Sequence, residues 1–111
     1  MRTTRMTTDE VVNIPSGTTQ TIDWAICKNQ QLNLGIAPSS VTLTFNNTLY
    51  GDSLLLKIVQ SGTPQDLIWP SAVKWDDIGE PIWISGVNKT RLIDMYFDGI
   101  NYFSAASETY S

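Results

Sequence analysis

Short runs of alternating apolar and polar residues recur along this chain, each stopped by a cluster of glycine, proline, serine or asparagine before the next begins. Strands send successive side chains to opposite faces, whereas a helix repeats every ~3.6 residues, so these runs specify strands with one buried face. From Thr18 to Cys27 the pattern sets Ile22, Trp24 and Ile26 against Thr19, Thr21, Asp23 and Ala25. After a polar connection at Lys28-Asn29-Gln30, the run Gln31 to Ile36 groups Leu32, Leu34 and Ile36. Val41 to Phe45 points Val41, Leu43 and Phe45 inward and two threonines outward. Ser53 to Gln60 is more continuously apolar, as expected of a central strand covered on both faces. Shorter runs lie at Val11 to Ile14, Asp66 to Trp69 and Ile82 to Ile84, and a dense apolar run spans Arg91 to Phe97. Asp98-Gly99 closes a hairpin with the strand that starts at Tyr102, and the pair predicts a type I′ turn.

Roughly eight to ten such strands without a stretch of helical periodicity predict an all-β chain. The expected architecture is an antiparallel β-sandwich, jelly-roll-like, forming a single domain over residues 11–111. Met1 to Glu10 has no pattern that buries a face and reads as an extended N-terminal arm, ordered only against a neighbour. Two indoles and a proline crowd the stretch from Leu67 to Trp75. Pro70 removes a backbone donor and fixes φ, so the strand through Trp69 is expected to end or bulge there, and Trp69 and Trp75 flank a corner.

Charged residues make up only 16% of the 111, against about 25% in typical soluble domains. A surface so poor in charge presents Ser, Thr, Asn and Gln to water, or part of itself to another protein. Seven basic against 11 acidic residues give a net charge of −4, which argues against nucleic-acid binding through phosphate neutralisation. No apolar run approaches the ~18 residues of a membrane span, and the N-terminus lacks a signal-peptide pattern, so a cytosolic product is expected. Histidine is absent, removing the commonest general base and transition-metal ligand. Cys27 is the single cysteine and reads as a small hydrophobe, with nothing nearby to activate a thiolate.

Several residues admit a chemical reading beside a structural one. Asp76, Asp77 and Glu80 could collect calcium, but their spacing is not that of an EF-hand, and a solvated turn is the simpler reading. The same three would have to serve a glycosidase, yet they crowd one loop instead of facing each other across a cleft. Asp94, inside an apolar run, is expected to be a buried structural residue partnered by Arg91 or Lys74. Trp69, Trp75 and Trp83 suit a sugar platform, a core or a subunit interface. Asn46-Asn47-Thr48 and Asn88-Lys89-Thr90 match the glycosylation pattern by chance in a chain without a secretory signal. No catalytic, cofactor or metal residues are therefore assigned.

The order of these pieces resembles a β-rich module of tailed-phage virion proteins. The resemblance rests on Ile22-Asp23-Trp24, Leu32-Asn33-Leu34, Val41 to Phe45, Leu54 to Gln60, Ile68-Trp69-Pro70 with Val73-Lys74-Trp75, Pro81, Ile93 to Gly99, and Tyr102, and covers Ile22 to Ala105. The chain departs from that pattern after Trp75, where Asp76-Asp77-Ile78-Gly79 replaces a Gly-rich loop, and no attached fibre shaft is expected. What the resemblance implies is a bacteriophage structural protein of the capsid surface or tail, made in the host cytoplasm, without catalytic residues and commonly trimeric. The expected role is a capsid decoration or cement protein that forms a homotrimer and binds the major capsid protein. The alternative is a tail-fibre or spike module that reads host glycans. Arg2, Arg5 and Met6 of the arm, with Trp69, Trp75 and Trp83, are the expected interface residues; neither nucleic acid nor membrane is an expected partner.

Overall fold

The computed structural model describes residues 11–35, 40–60, 66–80 and 89–107. Among these residues there is no helix, and strands account for 56% of them. The strands are β1 (Val12–Asn13), β2 (Thr19–Asp23), β3 (Asn29–Asn33), β4 (Ser40–Asn46), β5 (Ser53–Val59), β6 (Asp66–Ile68), β7 (Val73–Trp75), β8 (Thr90–Phe97) and β9 (Tyr102–Ala106). They form a six-stranded sheet in the order β1-β3-β5-β8-β9-β7 and a three-stranded sheet in the order β2-β4-β6.

The chain is all-β, as its alternation predicts, but the sheets are mixed, and the antiparallel jelly-roll expectation needs correction. Up to β6 the chain alternates between sheets, so strands that pair are two elements apart and run the same way. Val12 pairs with Gln31, Gln31 with Lys57, Thr19 with Thr42 and Val41 with Leu67, all in parallel ladders. Antiparallel pairing is confined to β5–β8 and β8–β9, while β7 joins β9 in parallel. A parallel connection needs a crossover, usually a helix; here a strand of the facing sheet supplies it. Alternation reports only that one face is buried, which both directions of pairing satisfy.

The inner faces of the two sheets share one core. The smaller sheet contributes Ile22, Val41, Leu43 and Leu67, with Trp24 just past β2, and the larger contributes Leu32, Leu54, Leu56, Ile58, Ile93, Met95 and Tyr102, among others. β5 is central in its sheet yet covered on one face only: Leu54, Leu56 and Ile58 are buried while Ser53 and Lys57 are exposed. Asp94 likewise stands on the outer face of β8, exposed to solvent, so the expected burial does not occur. Water satisfies a carboxylate there.

Four loop segments meet at one end of the molecule. The 24–28 turn follows β2, and the 47–52 loop links β4 to β5. The 70–72 corner leads into β7, and the 98–101 loop joins β8 to β9. Registers place them together, since Asp23 lies opposite Asn46 and Phe97 opposite Tyr102, while the Tyr102 N–H bonds the Ala72 carbonyl. The hairpin at 98–101 exists, but as a four-residue loop. Gly99 has φ 98° without a second positive φ beside it, and the Asp98 carboxylate accepts the Ile100 and Asn101 N–H groups at 2.9 and 2.7 Å. The Asp98 N–H also bonds the Asn101 carbonyl at 3.1 Å, so backbone and side chain close the turn together, without the mirror geometry of type I′.

Candidate interaction surface

The loop end combines apolar side chains in water with an unusually dense set of hydrogen bonds holding them there. Ile26, Leu49, Tyr50 and Ile100 are 65%, 68%, 78% and 76% exposed. One exposed leucine is ordinary, but four large apolar residues on adjacent loops form a patch of the kind that marks an interaction site.

Three of the four loops are shaped by an aspartate. Asp23 ends β2 by accepting the Ala25 N–H at 3.0 Å, which turns the chain out of the strand and leaves Ile26 exposed instead of in the core row with Ile22 and Trp24. The same oxygen accepts the Asn47 amide at 2.9 Å, tying the turn to the next loop, where Asn47 holds a left-handed φ of 62° that asparagine tolerates. Asp52 accepts the Leu49 N–H at 2.8 Å and pairs with Lys28 at 3.2 Å, and Lys28 also donates to the Trp24 carbonyl at 3.0 Å. Asp98 closes the third loop as described. Hydrogen bonds to the charged form favour ionisation. The Asn47 amide and the Ala25 N–H therefore hold Asp23 below the ordinary carboxylate range, the Leu49 N–H and then Lys28 do so for Asp52, and the Asn101 and Ile100 N–H groups for Asp98.

Beneath the turns, Gln30 is buried and fully engaged. Its amide donates to the Asp23 and Cys27 carbonyls, both at 2.8 Å, and its oxygen accepts from Asn13 at 3.1 Å. Sequence reading placed Gln30 in a polar connection; it is a strand residue that fastens the 24–28 turn to β1. Cys27 is half-buried beside it. Thr48 and Tyr102 share a 2.6 Å hydroxyl hydrogen bond, and the backbone bonds Gly51 N–H to Phe97 O and Phe97 N–H to Asp52 O dock the 47–52 loop on β8.

Trp69 and Trp75 are partly buried against the core, edge to face with centroids 5.1 Å apart. Phe45 connects them inward, meeting Trp69 at 6.3 Å, Trp24 at 5.6 Å and Tyr102 at 5.2 Å. This aromatic cluster packs against the core. Trp83, Arg2, Arg5 and Met6, like the 82–84 run and the whole N-terminal arm, lie outside the described residues.

The carboxylates considered for calcium or hydrolysis are placed differently. The Asp76 side chain accepts the Ile78 and Gly79 N–H groups at 3.2 and 3.3 Å within its own turn, which follows β7. Among the described residues no group of three His, Cys, Asp or Glu side chains is arranged to hold a metal ion. No helix there is long and apolar enough to cross a membrane.

Sequence reading singles out none of the patch residues: Leu49 and Tyr50 sit in a turn-rich link, and Ile26 continues the alternation past Asp23 without a break. No family model matches the chain, and no curated protein or solved structure shows significant similarity to it.

Proposed function

We propose that this chain is a structural protein of a tailed-phage particle, a small decoration protein that forms a homotrimer and seats its loop end on the outer capsid surface. One observation carries the docking part: Ile26, Leu49, Tyr50 and Ile100 stand in water on loops that side-chain hydrogen bonds hold in shape. Preorganised loops lose little entropy on binding, so apolar burial there converts efficiently into affinity. The virion setting and the trimer rest on the resemblance of the tryptophan corner and the flanking strands, and a sandwich-like double sheet suits that setting. The chain acts by fitting against protein, and it transforms no substrate.

The test uses particles of the encoding phage made without this chain. Purified wild-type protein added back is expected to reach saturating occupancy by electron microscopy. A variant carrying Ile26→Ser, Leu49→Ser and Ile100→Ser keeps its circular dichroism but leaves the particles bare. Each exposed aliphatic side chain is worth about 1–2 kcal/mol when buried, so three together shift the dissociation constant by two or more orders of magnitude. Equal occupancy by variant and wild type, or no binding by wild type, overturns the reading.

A further inference from the structure

The outer face of the six-stranded sheet carries a separate feature, defined by the strand registers. Lys74, Phe103, Tyr96 and Ser53 lie side by side across β7, β9, β8 and β5, with Tyr96 and Phe103 exposed. Two residues along the strands, Asp94 pairs with Ala105, and Asp76, whose N–H bonds the Ser104 carbonyl, continues that second row. The row between them turns inward: Leu54, Met95 and Ser104 are buried, and only their backbone floors the gap. An open groove of about 480 Å³ results, crossing four strands. Alternate residues on one strand are roughly 6.5 Å apart and four strands span roughly 14 Å, so the groove is narrow and long.

We propose that this groove binds a linear, uncharged oligosaccharide of about three rings. A pyranose has an apolar face of C–H groups and a rim of hydroxyls, and the two walls answer to these. Tyr96 and Phe103 offer ring surface on one side; Asp94 and Asp76 offer acceptors on the other, with Lys74 and Ser53 donating from the first row. Two aspartates and one lysine make the groove unfavourable to anions and divide the field that a cation would meet. The two aspartates repel phosphate and sulfate, and Lys74 beside Phe103 repels an organic cation from the aromatic surface. A peptide lying along the groove runs across the strands, so it cannot pair with the floor's backbone, which belongs to a continuous ladder. Ala105 keeps the second row low between its two acids, which gives a ring room to enter. This site lies apart from the loop end and stands independently of the docking reading.

The experiment titrates isotope-labelled full-length protein separately with maltotriose, cellotriose, mannotriose and triacetylchitotriose to millimolar concentration, following amide shifts by NMR. Saturable shifts of Met95, Ser104 and Ala105 with at least one trisaccharide are expected, insensitive to added salt because the ligand is neutral. Phe103→Ala and Tyr96→Ala, both at exposed positions, are each expected to weaken binding about tenfold. Asp94→Asn, which keeps size and fold, is expected to weaken it severalfold. No groove shift with any of the four sugars, or shifts that persist unchanged in Phe103→Ala, overturns the proposal. So does dissociation of an oligomer by Phe103→Ala in a protein that binds none of the sugars, since the face is then a subunit contact.

Discussion

Removing one oxygen tests whether the loop end is as tightly held as its geometry implies. Tyr102 is buried, stacked on Phe97 at 4.5 Å and edge-on to Phe45 at 5.2 Å, and its hydroxyl meets Thr48 at 2.6 Å. Tyr102→Phe keeps both ring contacts and deletes only that bond. A net intramolecular hydrogen bond is worth about 1 kcal/mol, so the variant is expected to lose about that much stability. With a urea slope of about 2 kcal/mol per molar, the midpoint falls by about 0.5 M. Thr48→Val alone should cost a similar amount, and the two together little more than either, because they remove the same interaction. Chemical denaturation of the four proteins in this cycle yields the coupling directly. Exchange of the Gly51 amide, bonded to the Phe97 carbonyl, should accelerate in each variant if the hydroxyl pair clamps the 47–52 loop. Additive losses, with a coupling energy near zero, would show that the two hydroxyls are merely close and that the loop is held by other means.

Gln30→Leu removes three hydrogen bonds and takes the side-chain donor from the Cys27 carbonyl, while the Asp23 carbonyl keeps the Ile26 N–H and the Asn13 amide keeps the Gln31 carbonyl, and is expected to cost about 2 kcal/mol in thermal or urea unfolding; a loss under about 1 kcal/mol contradicts its role as a fastener. Gly99→Ala forces a side chain into a φ of 98° and brings its Cβ to 3.1 Å from Tyr50, so about 1–2 kcal/mol of stability and the Tyr50 position are lost together, visible as lowered melting temperature and shifted tyrosine resonances. Asp23, Asp52 and Asp98 ionise more readily folded than unfolded, so their contribution is complete above the unfolded value near pH ~4 and is lost as the pH falls through the lower folded values. Urea midpoints at constant ionic strength should be flat from neutral pH to about 5 and drop below about 4; a flat profile down to pH ~2.5 opposes this. Deleting residues 1–10, with Arg2, Arg5 and Met6, should leave unfolding of the domain unchanged while reducing particle occupancy; full occupancy removes the arm from the docking reading.

The inward rows were legible because alternation measures burial directly: Ile22, Leu32, Leu34, Val41 and Leu43 occupy the core as their spacing implies. Strand direction was not, since a ladder's polarity depends on which strand arrives beside which, and no residue in β2 encodes that β4 lies parallel to it. The loop end was half legible. Asp98-Gly99 announced a reversal, but nothing in the pattern singled out Leu49 and Tyr50. Ile26 was concealed because one Asp23 hydrogen bond overrides the alternation that continues past it. Gln30 was concealed for the opposite reason, a polar residue whose burial depends wholly on three partners distant or behind it in sequence.

Alternation of the first six strands between two sheets also governs how the molecule can assemble from a free chain. Among the described residues, β8 and β9 alone can pair by closing a short loop. Every other ladder waits for an intervening segment to find its place on the opposite layer, which costs loop-closure entropy before any contact repays it. Folding should therefore start late in the sequence and proceed toward its beginning, on the millisecond-to-second scale of non-local β topologies. A nascent chain that ends before β8 would lack the seed on which β5, β3 and β1 are laid down.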